Sequence, residues 1–482
     1  NLNNVQIYLI YFGENGTLET TFDENNVPTV GGDDYLYETL SGPIDGVDGL
    51  YYFCGLIENS NYKLVGITPD DLIPNLPNQG DDDQMDSDFG DGPLDDMEIE
   101  DLLSGMVMIN FQIENAEDQP TNEDGPSDDH GTAPEDVLGY PDEFTDQTLD
   151  LSFVPFDYGD LPNSFGATVL DDLDPAKHIL QPDFFLGSCV DAERDGAPET
   201  EAGRQMEGDD NTGSAYTLPL GANCEDDEDG VRLITPMIPG NLACLEVTAT
   251  TPQGALLYAW IDFNGDGAFG TFDNPDANEQ VIFTNVAGTD ITPTGEAPVP
   301  MGTSTQLYCF EVPEGADFGG ENVLQTHMRF RLTTQSGISF YGCADDGEVE
   351  DYYQPVAKLG NYTWLDLLDN GLQDDVNASR DEVLPGITAI IRTTDLLGNP
   401  YEAELQTDEN GMYMFTGLLP DREYCIEFDV STAEHECANV LIPTTPANAG
   451  NDDAIDSDVA FDPIREFVFD AGCYTLSERE YN

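Results

Sequence analysis

The sequence has very little positive charge: 13 Lys and Arg stand against 98 Asp and Glu in 482 residues, for a formal net charge of −85. Lys63 is the only Lys or Arg before Lys177. Neutralising phosphates requires a basic face, so no nucleic-acid partner is expected. The same repulsion disfavours an anionic bilayer. Long apolar runs are missing as well. The Val5 to Phe12 run falls well short of the roughly 20 residues a membrane-spanning helix needs, so no direct membrane insertion is expected. No Cys-x-x-Cys spacing offers a zinc site. Only four His are present (His130, His178, His327 and His435), scattered and outside any Gly-x-Ser-x-Gly, His-Glu-x-x-His or P-loop context. Among so many acids no particular carboxylate pair stands out for glycoside hydrolysis, and the expectation is that the chain is not an enzyme.

High net charge with few apolar residues would mean disorder. Here 39% of residues are apolar, with 21 Tyr and 24 Phe, so the chain is read as folded and heavily solvated. Its length fits about three domains. No sustained helical period occurs. Gly and Pro punctuate short β-branched and aromatic runs with period-two alternation, such as Gln6-Ile7-Tyr8-Leu9-Ile10, Met328-Arg329-Phe330-Arg331-Leu332 and Tyr424-Cys425-Ile426-Glu427-Phe428. Turn signals such as Glu409-Asn410-Gly411 separate them. The expected fold class is all-β: tandem β-sandwich modules with long acidic loops.

An internal repeat sets the organisation. Asp48-Gly49-Leu50-Tyr51-Tyr52-Phe53-Cys54-Gly55-Leu56 matches Asn410-Gly411-Met412-Tyr413-Met414-Phe415-Thr416-Gly417-Leu418, in register to Tyr62 and Tyr424. Asp86-Ser87-Asp88 later matches Asp456-Ser457-Asp458. Two copies of one module therefore flank a different central one. The first copy lacks the Gly360-Asn361-Tyr362-Thr363-Trp364 segment that opens the second, so the chain is expected to start inside a domain. Asn1-Leu2-Asn3-Asn4 leads straight into a strand-like run with no secretory pattern, as in a processed product or an excised piece of something longer. The expected boundaries are 1–155, with an acidic insertion at about 90–145, then 156–356 and 357–482.

The most specific local motif is Asp262-Phe263-Asn264-Gly265-Asp266-Gly267. Oxygen donors at alternate positions, followed by a Gly that permits a sharp turn, let a flexible loop wrap a hard cation. Asp262, Asn264 and Asp266 are the candidate ligands, with the Ala268 carbonyl at the seventh position. Asp273 stands at the twelfth, and Glu279 lies a little beyond. Strand-like residues precede the loop, so it reads as an EF-hand-like Ca²⁺ loop on a β scaffold; the alternative is an acidic turn without metal. A second candidate set is Asp366, Asp369, Asn370, Asp374 and Glu382, with Leu368 at a position that cannot ligate. It reads equally as a weakened Ca²⁺ site or an ordinary turn. The run Asp81-Asp82-Asp83 reads as a solvated face; Glu225 to Asp229 reads as either a solvated face or a further cation site. Nine Cys in such a chain suggest an oxidising, extracellular setting with disulfides. Their connectivity does not follow from spacing.

Five ordered marks carry a family resemblance in the centre: Asp157 to Gly166, Leu186 to Glu193, Glu228-Asp229-Gly230-Val231, the Asp262 loop, and Asp346-Gly347-Glu348-Val349-Glu350-Asp351-Tyr352. Together they resemble the GEVED domain of large secreted bacterial surface proteins of the Bacteroidota type. The sequence departs from that pattern in the extra residues between Asp266 and Glu279. The flanking copies resemble the SdrD B-type repeat, a Cna-B-like sandwich of surface adhesins, on Trp364-Leu365-Asp366, Asn370 to Asp374, Leu384-Pro385-Gly386, the Gly411 to Leu418 string and Asp456-Ser457-Asp458. The resemblance implies Cna-B/Ig-like sandwiches around a jelly-roll-like centre, stiffened by Ca²⁺. It further implies an extracellular, cell-surface location and a structural or adhesive role in a fibre or giant adhesin. The truncated first copy suits that role, its missing strands being expected from a preceding segment or, by strand exchange, from a neighbouring chain. The implied partners are copies of the chain or neighbouring segments, together with host, prey or substratum glycans. A glycan- or partner-binding module, or an accessory domain of a secreted enzyme, is the alternative.

The charge itself generates a prediction. Screening reaches about 8 Å at physiological salt but about 30 Å at 0.01 M, so surface acids repel over a longer range in dilute buffer. Thermal melting should give a lower midpoint at about 0.01 M than at about 0.15 M monovalent salt; an unchanged midpoint would contradict it.

Overall fold

The computed structural model describes residues 5–13, 15–22, 27–44, 47–51, 53, 60–68, 73–74, 106–113, 153–165, 175–192, 216–222, 224, 227–270, 279–284, 295–318, 325–367, 372, 382–433, 459 and 468–476. The chain is all-β, and the described residues contain no helix beyond 3-10 turns at Asn163–Phe165 and Val430–Thr432. Two compact units account for it. One is Asn1–Asp157 with Asp191–Arg194 and Asn211–Asn223; the other holds Tyr158–Val190, Asp195–Asp210 and Cys224–Asn482.

The first unit is built on a four-stranded antiparallel sheet, ordered Tyr35–Leu40, Gln6–Tyr11, Ser60–Ile67, Met106–Ile113. Ile7, Leu9 and Ile10 of the second strand are buried, as are Tyr62, Leu64 and Val65 of the third. The Met106–Ile113 strand falls inside the span expected as an acidic insertion, and all eight of its residues pair with Ser60–Ile67. An alternating apolar stretch inside an acidic segment thus supplies a sheet strand. Residues 114–150 and Asp81 to Asp83 lie outside the described residues.

The second unit contains two sandwiches. In the central one, Leu242–Thr251 pairs along its full length with Gly302–Glu311 and is flanked by Phe185–Leu186 and Val231–Leu233. Against that sheet lies another, ordered Ala297–Val299, Ala255–Ile261, Gln325–Thr333, Glu348–Pro355. Alternation sends Ala243, Leu245, Val247 and Ala249 inward to meet Leu257, Ala259, Ile261, Met328, Phe330 and Leu332 in one core. The last sandwich has a sheet ordered Pro400–Gln406, Thr388–Thr394, Arg422–Asp429, Val468–Leu476. Its inner residues Ala389, Ile391, Ile426 and Phe428 pack with Leu359, Phe415 and Leu418 from the paired strands Ala357–Leu359 and Phe415–Leu418. Its strand order repeats that of the first unit, with Arg422–Asp429 in the place of Ser60–Ile67, as the Tyr62–Tyr424 register requires.

The sequence boundary at 356/357 does not separate compact bodies. Strand Glu348–Pro355 runs through Val356, buried in the central core, into Ala357–Leu359, buried in the last one. Ile238 of the central module packs in the last core, and Leu419 of the last module packs in the central core. Met237 N–H donates to Gly417 O (2.8 Å) and Leu396 N–H to Ile234 O (3.1 Å). No linker residue is left over.

Disulfides join Cys189–Cys224, Cys244–Cys309 and Cys425–Cys473. The last two link residues directly opposite on neighbouring strands. Cys343 is exposed, and Cys54 and Cys437 lie outside the described residues.

The Met328 to Leu332 alternation suggested one wet face, yet Arg329 and Arg331 are 2% and 0% exposed. The loop from Gln335 to Gly342 folds over that face and supplies carbonyls. Arg331 donates to Ser339 O, Tyr341 O, Gly342 O, Lys177 O and His178 Nε2. A guanidinium only donates, so His178 Nε2 must accept, and the ring proton sits on Nδ1, which donates to Asp346 O at 2.7 Å. Complete burial and the neighbouring Arg331 and Arg329 charges hold the His178 pKa well below its ordinary 6.5, against the pull of the Asp346 carbonyl.

This network generates a pH prediction. The His178 pKa is depressed in the folded state, so the unfolded chain binds more protons below pH 6.5. The neutral-imidazole contribution is complete above that value and falls by up to ~1.4 kcal/mol per pH unit beneath it. Denaturation at a series of pH values should show His178→Gln, which keeps an acceptor and a donor, losing less stability than the parent between neutral pH and pH about 5. Parallel losses would contradict the assignment.

Candidate metal centre

The Asp262 loop begins where strand Ala255–Ile261 ends, and both chain directions anchor it. Asp262 N–H donates to His327 O (3.0 Å), and Thr326 Oγ1 donates to Asp262 O (2.6 Å). Three residues later the chain reverses. Asn264 Oδ1 accepts from Asp266 N (2.7 Å), Asp266 Oδ1 accepts from Ala268 N (3.0 Å), and Gly265 and Gly267 take φ of +66° and +83°. Only Gly adopts that region without cost. Asp262 Oδ2 accepts from Gly267 N (3.0 Å), closing the loop around a 2%-exposed carboxylate. Phe269 then turns inward among Leu161, Phe165, Tyr258 and Trp260 on the outer side of the sheet. Its ring lies 4.8 Å from Phe165, and Phe165 lies 4.6 Å from His327.

Glu279 returns to the loop despite its distance in sequence. Val281 N–H donates to Ala259 O (2.9 Å) and Ile261 N–H to Glu279 O (3.2 Å), so residues 279–281 run beside the strand that launches the loop. Glu279 Oε1 accepts from Phe263 N (2.9 Å) and Asn264 N (3.2 Å), while its buried Oε2 has no hydrogen-bond partner among the described residues. Asp262, Asp266 and Glu279 each bring a carboxylate oxygen to within 4.8 Å of the others. Burial, then the negative charges of Asp262 and Asp266, push Glu279 up to about 8 against two backbone N–H groups. Burial likewise raises Asp262, against the N–H groups of the loop. A set of convergent oxygens with Asn264 and the Ala268 carbonyl in the same turn has the chemistry of a hard-cation site.

The structure brings together Asp262, Asn264, Asp266 and Glu279 and keeps Ala268 in the same turn. Asp273 lies outside the described residues, as do Asp369, Asn370 and Asp374 of the second candidate site. Asp366 directly follows strand Trp364–Leu365, whose Leu365 pairs with Glu382. Among the described residues, Asp366 and Glu382 join no cluster of three potential ligands. Glu423 groups with Cys425 and Cys473, whose sulfurs are spent in their disulfide.

The Asp346 to Asp351 acids have structural work that sequence reading did not assign. Asp346 accepts from Thr333 Oγ1 (2.5 Å), Thr334 N (2.7 Å) and Thr334 Oγ1. Glu348 accepts from Leu186 N, and Glu350 accepts from Gly230 N (2.8 Å) and Tyr352 OH (3.0 Å). Asp351 takes a two-pronged contact from Arg329, at 2.7 Å and 2.5 Å, and the Leu161 N–H at 3.0 Å. Gly347 makes room at φ +91°, where a Cβ would lie 1.7 Å from Leu332 O. Period-two placement of Glu348 and Glu350 on one strand was the available signal; their donors come from residues far away in sequence. Of the His residues, His178 and His327 sit in these packed networks, whereas His130 and His435 lie outside the described residues.

Fold and site together define a tandem β-sandwich protein with an oxygen-lined loop in its centre. More particularly, residues 256–354 match the family model of the GEVED domain, and residues 357–474 match that of the SdrD B-like domain. Serine-aspartate repeat-containing protein D of Staphylococcus aureus (strain Newman) is 27% identical over 259 residues, covering 50% of this chain and 18% of that protein. Serine-aspartate repeat-containing protein C of Staphylococcus aureus (strain N315) is 33% identical over 133 residues, 27% of this chain and 12% of that protein. The chain thus spans less than a fifth of the length of these curated relatives. The full-length major pilin SpaD of Corynebacterium diphtheriae aligns over 89% of this chain and 82% of its own, at 9% identity and a TM-score of 0.22.

The buried Arg329–Asp351 pair is 3% and 0% exposed at its side chains. Asp351→Ala leaves a buried guanidinium without its counter-charge and should cost about 3–5 kcal/mol. The double variant with Arg329→Met should recover part of that loss in urea denaturation. A double variant as unstable as the sum of the singles would contradict the pairing.

Proposed function

We propose that this chain is a structural and adhesive segment of a secreted or cell-surface protein, stiffened by Ca²⁺ at the Asp262 loop. The observation that carries the metal reading is the convergence of Asp262, Asp266 and Glu279, with Glu279 Oε2 buried and without a hydrogen-bond donor among the described residues. Three acids held this close repel one another, and a divalent ion replaces that repulsion by coordination. All the donors are oxygen, drawn from a short turn and a Glu from further along the chain, which suits Ca²⁺ better than Zn²⁺, with its preference for nitrogen and sulfur, or Mg²⁺, with its demand for a tight octahedron.

The adhesive part rests on domain type. Both matched domains are those whose sequence marks resemble modules of repetitive surface proteins. In this reading the partners are copies of the chain or neighbouring segments, and the ligands are host, prey or substratum glycans. Assembly by strand exchange belongs to the same proposal: Ala357–Leu359 pairs with Phe415–Leu418 in the last module, and a strand of that kind supplied by a neighbouring chain would link copies. Masses of the native protein that stay monomeric at every concentration would remove this component.

Thermal melting with Ca²⁺ and with a chelator tests the metal reading. At a hundredfold excess over the dissociation constant, binding adds about 2.7 kcal/mol, so the chelated protein should melt several degrees lower. Asp262→Ala with Asp266→Ala should melt at one temperature whether or not Ca²⁺ is present. An unchanged midpoint in the parent would sink the proposal.

A further inference from the structure

We infer that cation binding at the Asp262 loop and rigidity of the joint between the central and last modules are coupled through Phe263, Phe318 and Gly417, an inference that rests on the Ca²⁺ reading above. Four contacts make the route. Glu279 Oε1 accepts from Phe263 N (2.9 Å), so the carboxylate that closes the cation site also fixes the Phe263 backbone. Phe263 O accepts from Asp317 N (3.0 Å) and Phe318 N (3.2 Å). The Phe263 and Phe318 rings lie 6.2 Å apart in the central core, and Phe318 is held at φ +53°, a region that side chains rarely adopt. Phe318 then abuts the last module: a Cβ on Gly417 would lie 2.8 Å from its ring and 2.1 Å from Met237 O.

Gly417 is more than a turn residue. It takes φ +70°, and its carbonyl accepts the Met237 N–H across the joint. Absence of a side chain lets two backbones and an aromatic ring meet there. Around that contact Leu419 and Ile238 cross into each other's cores, and no linker separates the modules. The joint is therefore packed like an interior, and interiors transmit small displacements because their side chains have few alternative arrangements.

The two states differ at Glu279. With a divalent ion present, Asp262, Asp266 and Glu279 share it, and Glu279 holds the Phe263 and Asn264 amides in place. Without it the three carboxylates repel, Glu279 withdraws, and Phe263 loses its anchor. Phe318 and the Gly417 contact then gain freedom. A ligand shifts such an equilibrium only through contacts that differ between states, and the Glu279 bridge is that contact.

Hydrogen exchange on the full chain reads the joint directly, because the Met237 and Leu396 amides are its two crossing donors. Terbium luminescence competed by Ca²⁺ reports occupancy independently. Ca²⁺ should slow both amides by about ten-fold, while the Ile391 amide inside the last sheet changes much less. Phe318→Leu should keep Ca²⁺ affinity within a few-fold yet lose most of the added protection; if it does not fold, Gly417→Ala, which crowds the joint and not the loop, serves in its place. Occupancy without a change at Met237 and Leu396 overturns the coupling and leaves the Ca²⁺ reading standing. Full protection retained in the variant overturns the route, and absence of binding overturns both.

Discussion

Negative charge removed from water is the constraint on which the second unit is built. A buried carboxylate must be met by N–H donors, a guanidinium or a cation, and the first two of these solutions occur within one sandwich. Glu348 and Glu350 are met by main-chain amides of the Leu186 and Gly230 segments. Asp351 is met by Arg329. Glu279 is met on one oxygen by two amides and on the other by no hydrogen-bond donor among the described residues. The scarcity of basic residues gives these few contacts their weight. With 13 Lys and Arg in the chain, placing two Arg on one buried strand commits a large share of the available positive charge to a single layer.

That layer lies on the far side of one sheet from the main core of the central module and has its own apolar cluster. Trp260 and Tyr258 point away from the sandwich core, and the loop from Gln335 to Gly342 closes over them together with Arg329 and Arg331. The same aromatic cluster receives Phe269 from the acidic loop and Phe165 from the Pro162 turn. Segments distant in sequence therefore converge on the outer side of one sheet. The geometry of the acidic loop is supported by packing and by the hydrogen bonds of its own turn.

Several elements were legible in the sequence, each through a local physical signal. Period-two alternation predicted the strands, because side chains on a pleated strand point to opposite faces. The spacing of Asp262, Asn264, Asp266 and Gly267 predicted a sharp polar turn: the three polar side chains each bond a backbone amide two to five residues on, and Gly267 takes the positive φ. The Tyr62 and Tyr424 register predicted two related sheets, and both have the same strand order. Other features were illegible for equally physical reasons. The Met106–Ile113 strand was hidden by the acidity around it. The burial of Arg329 and Arg331 depends on a loop whose carbonyls carry no sequence signature.

Sequence alone determined what can be encoded within a few residues: an all-β chain, its repeat and an oxygen-rich turn, together with a strongly negative charge. The charge also divides into parts that composition cannot separate, namely the acids of the turn, the acids pinned by amides and Arg329, and the solvated remainder. Only the tertiary structure decided which acids belong to which part. The choice rests on donors from distant strands, such as Leu186 for Glu348 and Phe263 for Glu279. It likewise decided that residues on either side of 356/357 form one packed body, because Val356, Leu419 and Ile238 find their apolar partners only once both sandwiches are folded.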